Sequence, residues 1–215
     1  MLLAGFSISY LIVSLVTLVI ALTVHEFSHA WVANAFGDDT ARRAGRLTLN
    51  PLAHLDPVGS LMLLIAGFGW AKPTPIDPFI LRRRSPAALV LVSLAGAFSN
   101  FLLAAIAALP LRFGLVPYTP ASSGVLPTAS QFLTGFVVIN LTLAIFNLIP
   151  IAPLDGEKAL SELFPDSLGR VMDQLRPYGP LVLMLLIFAA PLLGFNVLSA
   201  VINPILNGLF GVLVG

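Results

Sequence analysis

Long apolar runs alternate with short polar ones along the chain. Runs of roughly 20 apolar residues are long enough to cross the hydrocarbon core of a bilayer as helices. Such runs cover about 7–35, 86–111 and 129–150, and a last apolar region covers 180–214. That region is interrupted at "PLLGFN" (191–196), so it reads as one bent element or two short helices joined at Gly194–Asn196. Val58–Trp70 is only about 13 residues long and Gly-rich at its end, which reads as re-entrant or half-buried rather than as a crossing. The polar stretches 36–57, 71–85, 112–128 and 151–179 join these runs. Within 40–50 and 71–80, the alternating pieces "GRLTLN" and "KPTPID" predict strands of a small sheet. The expected fold is an all-α integral membrane bundle of about five to six transmembrane segments, with a short re-entrant or β-like cytoplasmic element. A single domain is expected over 1–215, with its core at 7–160 and C-terminal helices at 178–214.

Composition agrees with the pattern. The 215 residues are 58% hydrophobic and 10% charged, against about 25% charged in a soluble domain. A net charge of +1 gives no reason to expect a nucleic-acid partner; the expected environment is the lipid bilayer. The absence of cysteine excludes disulfides, a thiol nucleophile and Cys-based metal sites. The first run has no Lys or Arg before it, unlike a cleaved signal, and is expected to be a retained helix.

Charge also sets an expected orientation. Arg42, Arg43, Arg46, Lys72, Arg82, Arg83 and Arg84 lie between the first run and the one at 86, and Lys158, Arg170 and Arg176 lie in 151–179. Only Arg112 falls in the other class of loop. If 58–70 does not cross, ten of the eleven basic residues share one side, expected to be cytoplasmic. The uncharged stretch 116–128 then faces out, and "RRR" (82–84) anchors a helix entry at the headgroups.

Near the far end of the first run stands "HEFSH" (25–29), after a segment without a single charge. Ionisable groups are costly in such surroundings, so something must stabilise them. On a helix, His25 and His29 share a face and can direct imidazole nitrogens at one ion. Glu26 is placed to act on a metal-bound water, as in zinc metalloproteases. The chain has three His in all, and two of them flank this Glu. The blander alternative is two His satisfied by neighbours, with Glu26 reaching toward the headgroups.

A catalytic zinc needs a third protein ligand and an open position. The remaining acids and His54 are candidates. Asp155 lies just past the 129–150 run in "FNLIPIAPLDG", where Pro150 and Pro153 cannot continue a regular helix. His25 lies about 27 Å along the first span at about 1.5 Å per residue. The opposite-running 129–150 span ends on that same side, so Asp155 shares the depth of the two histidines.

"HEFSH" followed by "NLIPIAPLDG" resembles the site-2 protease family of intramembrane zinc metalloproteases. The segments "GRLTLNPLAHLDPVGS", "GWAKPTPI" and "SLAGAFSN" resemble a compact prokaryotic branch of it. The resemblance covers about 20–160. It implies one Zn²⁺ per chain held by His25, His29 and Asp155, with Glu26 as general base and Asn147 near the substrate carbonyl. It also implies transmembrane protein substrates cleaved near the cytoplasmic face of the cell membrane, with the chain's oligomeric state left open. A further apolar span before the HExxH helix, found in one family form, is expected to be missing here, as is a PDZ domain. Ala152 stands where the family motif usually has proline, a change expected to be tolerated.

Other residues carry competing readings. Asn147 either caps a helix or hydrogen-bonds between helices, or it stabilises an oxyanion. His54 is an alternative ligand, a partner of a ligand, or a loop-forming residue among Pro51 and Pro57. Asp56 is expected to cap the 58–66 segment. Gly96, Ala97 and Ser99 read as close-packing positions, with Asn100 as a hydrogen-bonding group near the site. "GFGWAKP" (67–73) suits an interface belt or an edge for an extended substrate. Two other functions fit the same residues. A membrane metal transporter would not need Glu26 beside a ligand, and a catalytically silent homologue would not need the complete set.

Overall fold

The computed structural model of the chain describes residues 8–66, 69–117 and 125–215. Among them, five helices are long and apolar enough to cross a membrane. They are α1 (Ile8–Ala35), α4 (Ala88–Arg112), α5 (Ala129–Asn147), α7 (Pro165–Leu192) and α8 (Val197–Val214). Three shorter helices intervene: α2 (Pro57–Ala66), α3 (Pro78–Arg84) and α6 (Asp155–Leu163). The protein is an all-α polytopic membrane protein.

The centre of the bundle is α1, α4 and α5 packed on one another, with α6 against α4, and α8 against α4 and α5. Small side chains let these backbones approach. Ala104 and Ala108 of α4 meet Val137 and Leu141 of α5, and Phe210 and Leu213 of α8 cover them. At the opposite end, Ala33 of α1, Leu81 of α3, and Ala88, Leu89 and Val92 of α4 form a second cluster. Elsewhere the large apolar side chains of α7 and α8, such as Leu181, Leu192, Val201 and Val212, are exposed and suit a lipid surround.

The α2 helix is ten residues, or about 15 Å, half the thickness of the hydrocarbon core. It is too short to cross, as the re-entrant expectation requires, and Asp56 caps it by accepting from Gly59 N at 2.8 Å. The predicted strands in 40–50 and 71–80 do not form. Residues Thr40–Arg43 make a helical turn, and one bridge, Leu55 to Ala71, is the extent of β pairing among the described residues. The cause lies in where the amides go. Pro73, Pro75 and Pro78 have no N–H to offer a ladder. The amides of Thr74 and Asp77 donate instead to the side chains of Glu26 and Asp38, and that of Lys72 to His54 O.

Helix boundaries also differ from expectation. The 129–150 run stops being helical after Asn147, and Leu148–Leu154 form tight turns around Pro150 and Pro153. The stretch 151–179, expected as a loop, is largely helical, because its polar residues occupy one side of amphipathic α6 and the first turns of α7. The C-terminal helices therefore begin at 165 rather than 178. They are two, joined at Leu193–Asn196, where Gly194 has φ +83 and relieves the left-handed turn. The loop expected at 116–128 lies partly outside the described residues.

One buried acid ties the extended segment to the end of α1. Asp38 is fully buried and accepts from Thr40 N at 3.0 Å and Asp77 N at 2.7 Å. Asp38→Ala should therefore lower stability by about 1–3 kcal/mol, read as a reduced unfolding midpoint in detergent. An unchanged midpoint would show that this link carries no stability.

Candidate metal centre

Helix α1 brings His25 and His29 onto one face, with ring centroids 4.7 Å apart and planes at 81°. Asp155 is the first residue of α6, delivered by the turns after α5. The three meet. His25 Nε2 and His29 Nε2 are 3.1 Å apart, and each is 3.1 Å from Asp155 Oδ2. All three side chains are buried, and they form the one group of metal-competent donors among the described residues.

The remaining ring nitrogens point away from this triangle. His29 Nδ1 donates to Val92 O at 2.7 Å, and His25 Nδ1 lies 2.7 Å from Asn100 Oδ1. Asp155 Oδ1 also faces Lys158 Nζ at 3.4 Å.

Two observations test whether this set fits a metal. Three donor atoms 3.1 Å apart approach the spacing, about 3.3 Å, of ligand atoms on a tetrahedral zinc at about 2.0 Å. Gly96 of α4 faces the two histidines, and a Cβ there would fall 2.5 Å from both Nε2 atoms. The missing side chain leaves space directly beside the nitrogens, which reverses the emphasis of the sequence expectation that Gly96 serves helix packing. Two imidazoles and one carboxylate, with space beside them, form a donor set that suits zinc.

Glu26 lies alongside. Its Oε2 accepts from Thr74 N at 2.8 Å and Thr74 Oγ1 at 2.7 Å, while Oε1 has no protein partner among the described residues. A cavity of about 600 Å³ is lined by Glu26, His29, Thr74, Ser93 and Asp155. Its far wall carries ion pairs, Arg82 with Glu162 and Arg176 with Glu157, the latter pair 2.8 Å apart.

The other residues singled out in the sequence lie elsewhere. Asn147 does not line the cavity, and its Nδ2 donates to Leu143 O at 3.0 Å within its own helix. His54 is fully buried but serves the loop, donating from Nε2 to Thr48 O at 2.8 Å. Its carbonyl receives Lys72 N, two residues from Thr74, so it helps hold the segment that grips Glu26. Thr74 and Asn140 went unnoticed in the sequence. An asparagine in mid-span was a signal for Asn140; Thr74, in a Pro-rich loop, gave none.

Comparison with known proteins identifies the family. Residues 116–190 match the model of peptidase family M50. The chain is 41% identical over 192 residues to "Putative zinc metalloprotease YwhC" of Bacillus subtilis (strain 168), covering 87% of this chain and 84% of that protein. It is 33% identical to the similarly named Rip2 of Mycolicibacterium smegmatis over 80% of this chain and 65% of Rip2. Rip2 of Mycobacterium tuberculosis (strain H37Rv) is also 33% identical, over 81% of this chain and 65% of that protein. No solved structure matches. With five helices apolar enough to cross a membrane, these matches make the chain a membrane zinc metalloprotease. The chain belongs to peptidase family M50, the site-2 protease family.

Gly96→Ala should push a methyl group into the space at the imidazoles. Overpacking of this kind costs about 1–3 kcal/mol, and the lower figure is about fivefold in a binding constant. Metal affinity should fall by at least that factor in chelator competition, with the helical content retained. Unchanged affinity would separate Gly96 from the site.

Proposed function

We propose that this chain is an intramembrane zinc endopeptidase. It would hydrolyse peptide bonds of transmembrane proteins near the cytoplasmic side of the bilayer. The carrying observation is the triangle of His25 Nε2, His29 Nε2 and Asp155 Oδ2, 3.1 Å on each side, with Glu26 beside it on one cavity. In this reading the three residues hold one zinc and Glu26 is the general base. Bound zinc supplies Lewis acidity toward a carbonyl oxygen and acidifies water toward a pKa of about 7.

The chain's own residues do the rest. Thr74 fixes one oxygen of Glu26 and leaves Oε1 free to take a proton from water and return it to the departing amine. Asp155 would complete the donor set with its Oδ2, 3.1 Å from each imidazole Nε2. A substrate helix protects its peptide bonds with its own hydrogen bonds, so it must unwind locally before its carbonyl is accessible. The charged wall of Arg82, Glu162, Glu157 and Arg176 is compatible with water entry from the basic side of the bundle. Asn147, whose Nδ2 donates to Leu143 O in this structure, would lie near the substrate carbonyl only as the family resemblance implies.

Two experiments test this. Glu26→Gln keeps shape but cannot accept the proton. Zinc content should persist while cleavage of a model transmembrane peptide falls by at least about 10², the scale of a lost general base. Equal cleavage by variant and parent would remove Glu26 from the mechanism. For orientation, Ser167→Cys should resist an impermeant thiol reagent in intact cells and Leu126→Cys should react. The reverse pattern would invert the topology.

A further inference from the structure

We infer that Asn100 and Asn140 are positioning residues that fix the tautomer and plane of His25, so that its Nε2 presents a lone pair to the metal. This rests on the reading of His25 as a ligand.

Three hydrogen bonds run in series across three helices. His25 Nδ1 of α1 lies 2.7 Å from Asn100 Oδ1 of α4. Asn100 Nδ2 lies 3.0 Å from Asn140 Oδ1 of α5, and Asn140 Nδ2 lies 2.9 Å from Phe136 O, one turn back on α5. Both asparagines are fully buried.

The two ends of an amide are nearly the same size, so a pair of asparagines could point either way. The last link removes that freedom. A backbone carbonyl can only accept, so the Asn140 atom facing Phe136 O is the NH₂ group. Asn140 then offers its oxygen to Asn100, which must answer with its own NH₂. That turns Asn100 Oδ1 toward the imidazole. An oxygen at Nδ1 requires a proton on Nδ1, and a neutral imidazole has only one. Nε2 of His25 is therefore bare, and it is the nitrogen that faces His29 and Asp155.

The three histidines divide accordingly. His29 receives its tautomer directly from Val92 O on Nδ1, and His54 receives the opposite one from Thr48 O on Nε2. Among the described residues His25 Nδ1 meets Asn100 Oδ1 rather than a backbone carbonyl, so its tautomer depends on the relay. The bland alternative treats the asparagines as interhelical glue, as polar residues in membrane bundles often are. Glue has no polarity, whereas this chain runs one way, from the Asn140 NH₂ at Phe136 O to the His25 Nδ1 proton.

The test uses the full-length protein in detergent. Zinc affinity is measured by chelator competition, and tautomers by NMR of the histidine-labelled, zinc-free parent at about pH 9, above the ordinary histidine pKa of about 6.5. The parent should show an Nδ1 proton on His25 and His29 and an Nε2 proton on His54. Asn100→Leu should weaken zinc binding by about 10–100-fold, the usual scale for a partner of a metal-bound histidine. Asn100→Asp, which still accepts from Nδ1, should recover about tenfold or more of that loss. Asn140→Leu, which does not touch the imidazole, should weaken zinc by a smaller factor. An Nε2 proton on His25 in the parent overturns the proposal, as do parent-like affinity in Asn100→Leu or equal losses in the Leu and Asp variants. If Asn100→Leu fails to fold, the parent spectrum and Asn100→Asp against parent still decide. His25→Ala separates the levels. If it keeps zinc, the ligand reading falls and the relay with it; if it loses zinc while Asn100→Leu does not, only the relay falls.

Discussion

Ionisable side chains inside an apolar bundle must be satisfied by other groups of the protein, because lipid offers nothing else. Most of this structure can be understood from that constraint. His25, Glu26 and His29 lie in the C-terminal half of α1, and each reaches a partner outside its own helix. His29 has Val92 on α4, His25 has Asn100 on α4, Glu26 has Thr74 on the extended segment, and both histidines face Asp155 on α6. The polar groups thus fix how α1, α4, α5 and α6 can dock.

Packing makes those meetings feasible. Ala30 and Ala33 on α1, and Gly96 and Ala97 on α4, keep the two helices close enough for imidazole to reach a backbone carbonyl. The turns after Asn147 perform the complementary task. A helix continued past Pro150 would have carried Asp155 away from the bundle, whereas the broken segment returns it to the start of α6.

The long spans and the donor set were legible in the sequence because each has a local signature. Apolar length marks a crossing, the i, i+4 spacing pairs His25 with His29, and shared depth brings in Asp155. What escaped depends on groups distant in sequence. Asn140 meets Asn100 forty positions away, and Thr74 meets Glu26 forty-eight positions away. The predicted sheet failed for a related reason: its alternation was real, but the amides of Thr74 and Asp77 had acids of α1 and its end to serve. His54 was ambiguous because a histidine among prolines has the same local context whether it binds metal or braces a loop. The polar face of α6 and α7 was mistaken for a connection because amphipathic helices at a membrane edge share the composition of loops.

The placement of Asp155 has a thermodynamic consequence. His29 and Asp155 are 126 residues apart in the chain and belong to different helices. An ion held by both is a crosslink that only the folded bundle can form. Its binding free energy is therefore added to the docking of α6 on α1, amounting to about 2.7 kcal/mol when free metal stands at a hundred times the dissociation constant. With His29 and Asp155 as proposed ligands, metal supply and conformational stability would be one linked equilibrium. A chain depleted of its ion would lose the tether that holds the α5–α6 turn in the bundle along with its reactive centre.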